Sequence, residues 1–311
     1  MLLPRLLGRV CLPAYLNSHL HLSRCMTTTA SLDFTQYDSA QLAMMEEMCI
    51  VVDFDDAVIG EGTKKDVHLI DGVCMLPAGP PHRAFSVFLF DEQWRLLLQK
   101  RCSDKILFPL HWANTCCSHP LADGATFLGA PIHGEADGHR GTIRAARRKL
   151  HQELGIANEA VPEDAFRFVT KVHYKAPLPG PDPKWGEHEV DYILFCQRPR
   201  KVIEATLNLN PNEVVDTRWL TQEECKAFVD GADDPQGPSD NVVTHDEIIS
   251  PWFGAIAREL LHPWWEALKR GDINAVPPDG KIHRLAGGKE AMAGEPVGLV
   301  MPHKRESTRD K

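Results

Sequence analysis

From about residue 48 the chain alternates apolar and polar positions, and the period of that alternation changes along it. Cys49-Ile50-Val51-Val52 is a short apolar run closed by Asp53-Phe54-Asp55-Asp56, the pattern of a strand that ends in a turn. Ala84 to Phe90 and Arg95 to Lys100 are further strand-like runs, and Asp91 to Trp94 between them predicts a hairpin. The period then becomes helical: Ile143, Ala146, Leu150 and Leu154 recur on one face over Thr142 to Leu154, and Gly155 follows as a stop. Phe166 to Tyr174, Val190 to Cys196 and Val214 to Leu220 return to strand patterning. Thr221 with Glu224 is a capping box that starts another helix. Residues 230–241 read as a loop, and Trp252 to Lys269 as a helical stretch broken or kinked at Pro263. Strands interleaved with a few helices predict a mixed α/β or α+β domain, with helices covering a sheet and one core from about residue 48 to 270.

The ends differ from this middle. Residues 1–32 carry Arg5, Arg9 and Arg24 with no acid before Asp33, the composition of an organelle transit peptide, although a disordered leader with a second start at Met26 fits as well. Beyond Gly271 the chain is polar and rich in Gly and Pro, so residues 273–311 are expected to be poorly ordered. No apolar run is long enough for a membrane helix. The net charge of −9 argues against non-specific nucleic-acid binding, while leaving room for a local basic site that takes a small anion. Nine cysteines, an odd number without CxxC spacing, point to a reducing compartment.

Five fragments carry candidate chemistry. In Asn114-Thr115-Cys116-Cys117-Ser118-His119-Pro120, residues two apart point the same way if the segment is extended, so Cys117 and His119 face one pocket. A thiol beside an imidazole or a metal is a usable acid or base, but two buried small residues and a surface His would give the same letters. In Trp185-Gly186-Glu187-His188-Glu189-Val190-Asp191-Tyr192, Glu187, Glu189 and Asp191 share a face. Carboxylates on an apolar strand are costly without a cation, although a solvated acidic edge is the plainer alternative. His68 and His82 are further donors suited to a transition metal, weak evidence among 15 histidines. Arg148-Lys149-Leu150-His151-Gln152-Glu153-Leu154-Gly155-Ile156 is similar to the tail of a Nudix box, with Lys149 and Gln152 where two acids are usual. Lys64, Lys65, Arg83, Arg101 and Lys105 are cations that could surround a diphosphate, and each alone is as readily a solvated surface charge.

Read in order, T-K-K-D-V-H-L, P-H-R-A-F-S-V-F-L-F, F-P-L-H-W-A-N-T-C-C-S-H-P-L, R-R-K-L-H-Q-E-L-G-I, W-G-E-H-E-V-D-Y-I-L-F, P-N-E-V and S-P-W-F strongly resemble the type 1 isopentenyl diphosphate isomerases, a branch of the Nudix superfamily. The resemblance covers about residues 40–270. It implies an α+β fold, a Nudix-like mixed sheet between helices, in a single catalytic domain with N- and C-terminal extensions. It implies a metal site for Mg²⁺, or Mn²⁺, on His68, His82, His119, Glu187 and Glu189, with Glu153 holding a second Mg²⁺ on the diphosphate. Cys117 and Glu189 become the catalytic pair, Tyr174 a partner of the acid and Trp252 the pocket indole, while Lys64, Arg101, Lys105 and Lys149 bind phosphate. The implied substrate is a small isoprenoid diphosphate and the implied state a monomer, cytoplasmic or organelle-directed through the leader, with neither nucleic acid nor a membrane span. Leu110 stands where this family often has Gly. His283-Arg284-Leu285, similar to a peroxisomal address at which some relatives stop, is internal here.

Overall fold

Two strands that are buried on both faces organise the molecule, and a sheet of that kind needs cover on each side. The computed structural model describes residues 37–69, 81–127, 129–178, 185–232 and 247–285. The leader, residues 233–241 of the expected loop and residues 286–311 lie outside the described residues. In chain order the elements are α1 (Ser39–Met45), β1 (Met48–Val52), β2 (Val58–Thr63), α2 (Lys64–Val67), β3 (His82–Phe90), β4 (Leu96–Arg101), β5 (Trp112–Ala113), β6 (Cys116–Ser118), β7 (Thr126–Phe127), β8 (Ala130–Pro131) and α3 (Gly138–Leu154). Then come β9 (Phe166–Pro177), β10 (Gly186–Gln197), α4 (Arg200–Glu204), β11 (Val214–Leu220), α5 (Gln222–Ala232), α6 (Pro251–Ile256), α7 (His262–Arg270) and β12 (Ile282–Arg284).

The main sheet runs β11-β4-β3-β10-β9-β12, with β1 and β6 also paired to β3. Its centre is the parallel pair β3 and β10, which sets Glu189 opposite His82. The alternation along these strands sorts the side chains into two cores. Phe85, Val87, Leu89, Tyr192 and Leu194 pack on Ile143, Ala146, Leu150 and Leu154 of α3. Phe88, Phe90, Ile193 and Phe195 pack on the other side against Phe228 of α5, Phe253 of α6, and Trp265 and Leu268 of α7. Each fully buried aromatic or aliphatic side chain of this kind contributes about 1.5–3 kcal/mol. The fold is therefore α+β, a mixed sheet between helices, as expected.

Three elements differ from the sequence expectation. Helix α3 begins at Gly138, ahead of the apolar periodicity. Its first turn is set by close approach instead: a Cβ on Gly141 would stand 2.1 Å from the Glu135 carbonyl oxygen. The stretch around Pro263 is not simply broken. A π-helical turn, Ala257–Leu261, joins α6 to α7 and absorbs the missing N–H and the bulk of the proline ring. Residues 273–285, expected to fray, are part of the domain. β12 pairs in parallel with β9, Asp279 accepts from the buried Thr170 hydroxyl at 2.6 Å, and Leu285 enters the core. The polar composition misled because an edge strand of three residues needs little apolar surface of its own.

Gly155 ends α3 in the left-handed region, with φ 68°. Its N–H bonds the His151 carbonyl, and Ile156 N–H bonds the Leu150 carbonyl, closing the helix. A Cβ there would meet the Asn208 carbonyl oxygen at 2.5 Å. Gly155→Ala is expected to cost about 1–3 kcal/mol, from backbone strain and the clash together. Thermal unfolding should show a melting temperature lower by roughly 3–10 °C.

Candidate active site

The face of the sheet covered by α6 and α7 opens at one end into a pocket. β10 supplies Glu187 and Glu189, and Tyr174 lies directly opposite Glu189 on β9. β6 supplies Cys117, paired with Ser86 of β3, while Cys116 is paired with Val87. The two neighbouring thiols therefore point to opposite faces. Cys116 is buried in the α3 core with its sulfur 3.5 Å from Glu153 Oε2, and Cys117, half-buried, lines the pocket. Trp252 enters from α6, and its Nε1 donates to Asn114 Oδ1 at 3.2 Å, which fixes the plane of the indole.

Beneath the pocket lie His68, His82, His119, Glu187 and Glu189, all buried, each offering a ligand atom within 4.8 Å of the others. Thr63 caps the N-terminus of the short helix α2, His68 stands at its C-terminus, and the His68 Nδ1 donates to the Lys64 carbonyl at 2.6 Å. A carbonyl only accepts, so Nδ1 carries a proton, and in the neutral form of the ring Nε2 would present a lone pair to Glu187 Oε2, 2.7 Å away. Two acceptors at that separation repel unless a cation or a proton lies between them. Both ring nitrogens of His82, Nδ1 of His119 and Oε2 of Glu187 also lack hydrogen-bond partners. Burial pushes His82 below the ordinary imidazole range, and burial together with His82 and Lys64 pushes His119 further down. Neutral rings with free lone pairs beside two carboxylates fit a divalent cation, and unpaired buried polar atoms are otherwise expensive.

Glu189 accepts from Tyr174 through Oε2, and its Oε1 lies 2.8 Å from His119 Nε2. Burial, with Glu189 close by, raises the Tyr174 phenol far above its usual range, so it holds its proton. Burial raises the Cys117 thiol strongly as well, against the opposing pull of Arg101.

The pocket also has a cationic lining. Lys64, Arg101, Lys105 and Lys149 all line it, as does Glu153. Arg101 donates to the carbonyls of Leu107 and Phe108 at 2.8 and 2.9 Å and lies 5.6 Å from the Trp252 ring centre. The loop it holds carries Phe108 and Leu110 at positive φ, 48° and 61°, so Leu110 adopts the conformation that Gly favours. Of the other cations singled out, Arg83 is absorbed in a buried ion pair with Asp56 at 2.9 Å, and neither it nor Lys65 lines the pocket. Sequence reasoning missed Gln41, Met44 and Met45, which bring α1 over the pocket, and Glu213, which touches its lysines. No motif pointed to α1. Glu213 lay within the quoted P-N-E-V but was given no role.

A mixed sheet between helices, with the remnant box on α3, defines a Nudix fold, and the NUDIX domain model matches residues 80–238. The chain is 43% identical to an isopentenyl-diphosphate delta-isomerase of Aspergillus fumigatus over 82% of this chain and 84% of that protein. It is 42% identical to one of Schizosaccharomyces pombe, over 83% and 100%, and 41% identical to one of Bos taurus, over 80% and 96%. The chain belongs to the isopentenyl-diphosphate delta-isomerase family of Nudix-fold proteins.

Proposed function

We infer that this protein interconverts isopentenyl diphosphate and dimethylallyl diphosphate by adding a proton to one carbon and removing one from another. The observation that carries this reading is a single pocket that joins Cys117, Tyr174, Glu189 and Trp252 to four cations, above the cluster of His and Glu. His68, His82, His119, Glu187 and Glu189 would hold Mg²⁺ or Mn²⁺, and Glu153 a second Mg²⁺ on the diphosphate, supplying charge that tunes the acidity of Glu189 and neutralises the substrate.

Lys64, Arg101, Lys105 and Lys149 clamp the diphosphate and so fix the short hydrocarbon chain in place. Cys117 and the Tyr174–Glu189 pair then approach the alkene from different sides. One gives a proton to the terminal methylene carbon, and the other takes one from C2. The tertiary cation between those steps lies against the indole face of Trp252, which stabilises positive charge and offers no lone pair to trap it. Met44, Met45, Ile106 and Leu107 add apolar wall that keeps water out. The site is complete within one chain, which supports action as a monomer. No helix among the described residues is long and apolar enough to cross a membrane. The Arg-rich, acid-free leader supports an organelle-directed form beside a cytoplasmic one; a relative from Cannabis sativa, 38% identical, is chloroplastic.

The test is incubation with isopentenyl diphosphate and Mg²⁺ followed by acid, in which only the allylic product hydrolyses. Acid-labile product supports the reading. Release of inorganic diphosphate without an allylic product would make the protein a hydrolase instead. Lys149, 3.1 Å from the box acid Glu153, and Gln152, turned toward Glu213 and Met44, stand where the box usually has two further acids, which counts against that chemistry. Treatment with a chelator is expected to abolish turnover and to lower the melting temperature, since a ligand at 100 times its Kd contributes about 2.7 kcal/mol. Added Mn²⁺ or Mg²⁺ should restore both, and an unchanged melting curve would argue against a metal in the cluster.

A further inference from the structure

Behind the cationic lining of the pocket lies a buried carboxylate whose task the reaction does not explain. Glu213 is 2% exposed. It forms an ion pair with Lys105, lies 3.7 Å from Lys149 Nζ through Oε1, and accepts from Gln152 Nε2 at 3.1 Å. Its backbone is held as firmly. The Glu213 carbonyl accepts from Cys102 N–H at 2.9 Å, next to the end of β4, and its own N–H donates to Asn210 at 2.9 Å. Asn210 in turn donates to the carbonyls of Glu153 and Gln152 at the end of α3. Gln41 of α1 donates to the Asn212 carbonyl at 2.6 Å, so the turn 210–213 ties α1, α3 and β4 together behind the phosphate side.

Placing an anion beside cations meant for an anionic substrate weakens the attraction, and so requires a compensating benefit. We propose that Glu213 is a positioning residue that keeps Lys105 charged and aimed at the substrate diphosphate, with Lys149 held alongside. This rests on the reading of Lys105 and Lys149 as diphosphate ligands.

The surroundings of Lys105 show why it needs such a partner. Burial disfavours its ammonium form, and Arg101 on β4, Lys64 on α2 and Lys149 on α3 all disfavour it further; the Cys102 thiol is close by, and Glu213 is the opposing charge. The lysine lies below its ordinary value even with Glu213 present. Glu213 itself is held well below the carboxylate range, because Lys105 and Lys149 outweigh its burial. Without that carboxylate, the neighbours that remain, burial and three other cations, all favour loss of the Lys105 proton as the pH rises.

Glu213→Gln is isosteric: its amide oxygen can still accept from Lys105, while its NH₂ replaces the oxygen that faces Lys149 and accepts from Gln152, whose own amide must turn so that its otherwise unpartnered Oε1 accepts. The affinity for inorganic diphosphate in excess Mg²⁺ is measured by calorimetry on the full chain at pH 7 and pH 9. Wild type supplies the baseline, including the ligand's own titration. The affinity of Glu213→Gln is expected to fall about tenfold further than that of wild type over this interval, the loss of one cation. In Glu213→Gln/Lys105→Arg the extra loss should vanish, because a guanidinium stays charged. A merely structural defect would weaken binding equally at both pH values. Parallel behaviour of Glu213→Gln and wild type, or an extra loss that survives Lys105→Arg, overturns the proposal. Isomerisation is assayed separately on wild type, so a failure of the functional reading shows there and not in diphosphate binding.

Discussion

Cys117→Ala is expected to lower the isomerisation rate by about 10²–10⁴-fold, the usual contribution of a positioned acid or base. Cys116→Ala should cost less than about tenfold by the same measure. Adjacent identical residues make the comparison a sharp one. The pairing of β6 with β3 sends one sulfur into the pocket and the other into the core against α3. Stability should separate the two variants in the opposite sense. Cys116 is fully buried, so its truncation leaves a small cavity and a Glu153 oxygen without its thiol donor. Cys117 is only half-buried, and its loss should leave the melting temperature nearly unchanged. If Cys117→Ala turned over at the wild-type rate, the thiol would have no part in proton transfer.

The second large effect is expected at Glu189. Its two oxygens face different groups, Tyr174 on one side and the imidazoles of His119 and His82 on the other. Glu189→Gln replaces a carboxylate that can carry a proton by an amide that cannot, and puts an NH₂ where one of those contacts was. Turnover should drop by about 10²-fold or more. Loss of metal and loss of proton transfer would both produce that result, so metal content is measured on the same sample. Glu187→Gln is the control: Glu187 faces His68 in the cluster, without the tyrosine contact. Should Glu189→Gln retain both metal and turnover, Glu189 would be excluded from the proton relay.

Much of this site could be read from the sequence because strand alternation is a strict rule. Cys117 with His119, and Glu187 with Glu189, lie two apart, and the structure turns each pair to one side as that spacing requires. The apolar period likewise located α3 and the two-sided strands β3 and β10. What stayed hidden was set by contacts between distant segments. Glu213 looks like any surface acid in Pro211-Asn212-Glu213-Val214; its burial comes from lysines more than sixty residues before it. Met44 and Met45 lie in a short helix with no chemistry of its own, and only the fold brings it over the pocket. The start of α3 escaped because closeness to Glu135, rather than hydrophobicity, selects Gly141.

The outermost strand of the sheet comes from the far end of the described chain. β9 is twelve residues long, and β12 covers three of its positions in parallel, through a segment that begins after α7 has ended. During synthesis this edge of β9 therefore stays open until residue 284 has left the ribosome, after the last side chain of the pocket, Trp252, has been made. Parallel pairing over such a sequence distance forms slowly, and an uncovered strand edge can recruit another chain. The nascent protein thus passes through a stage in which its pocket can assemble while its flank is still adhesive, and chaperone capture at that stage would protect it.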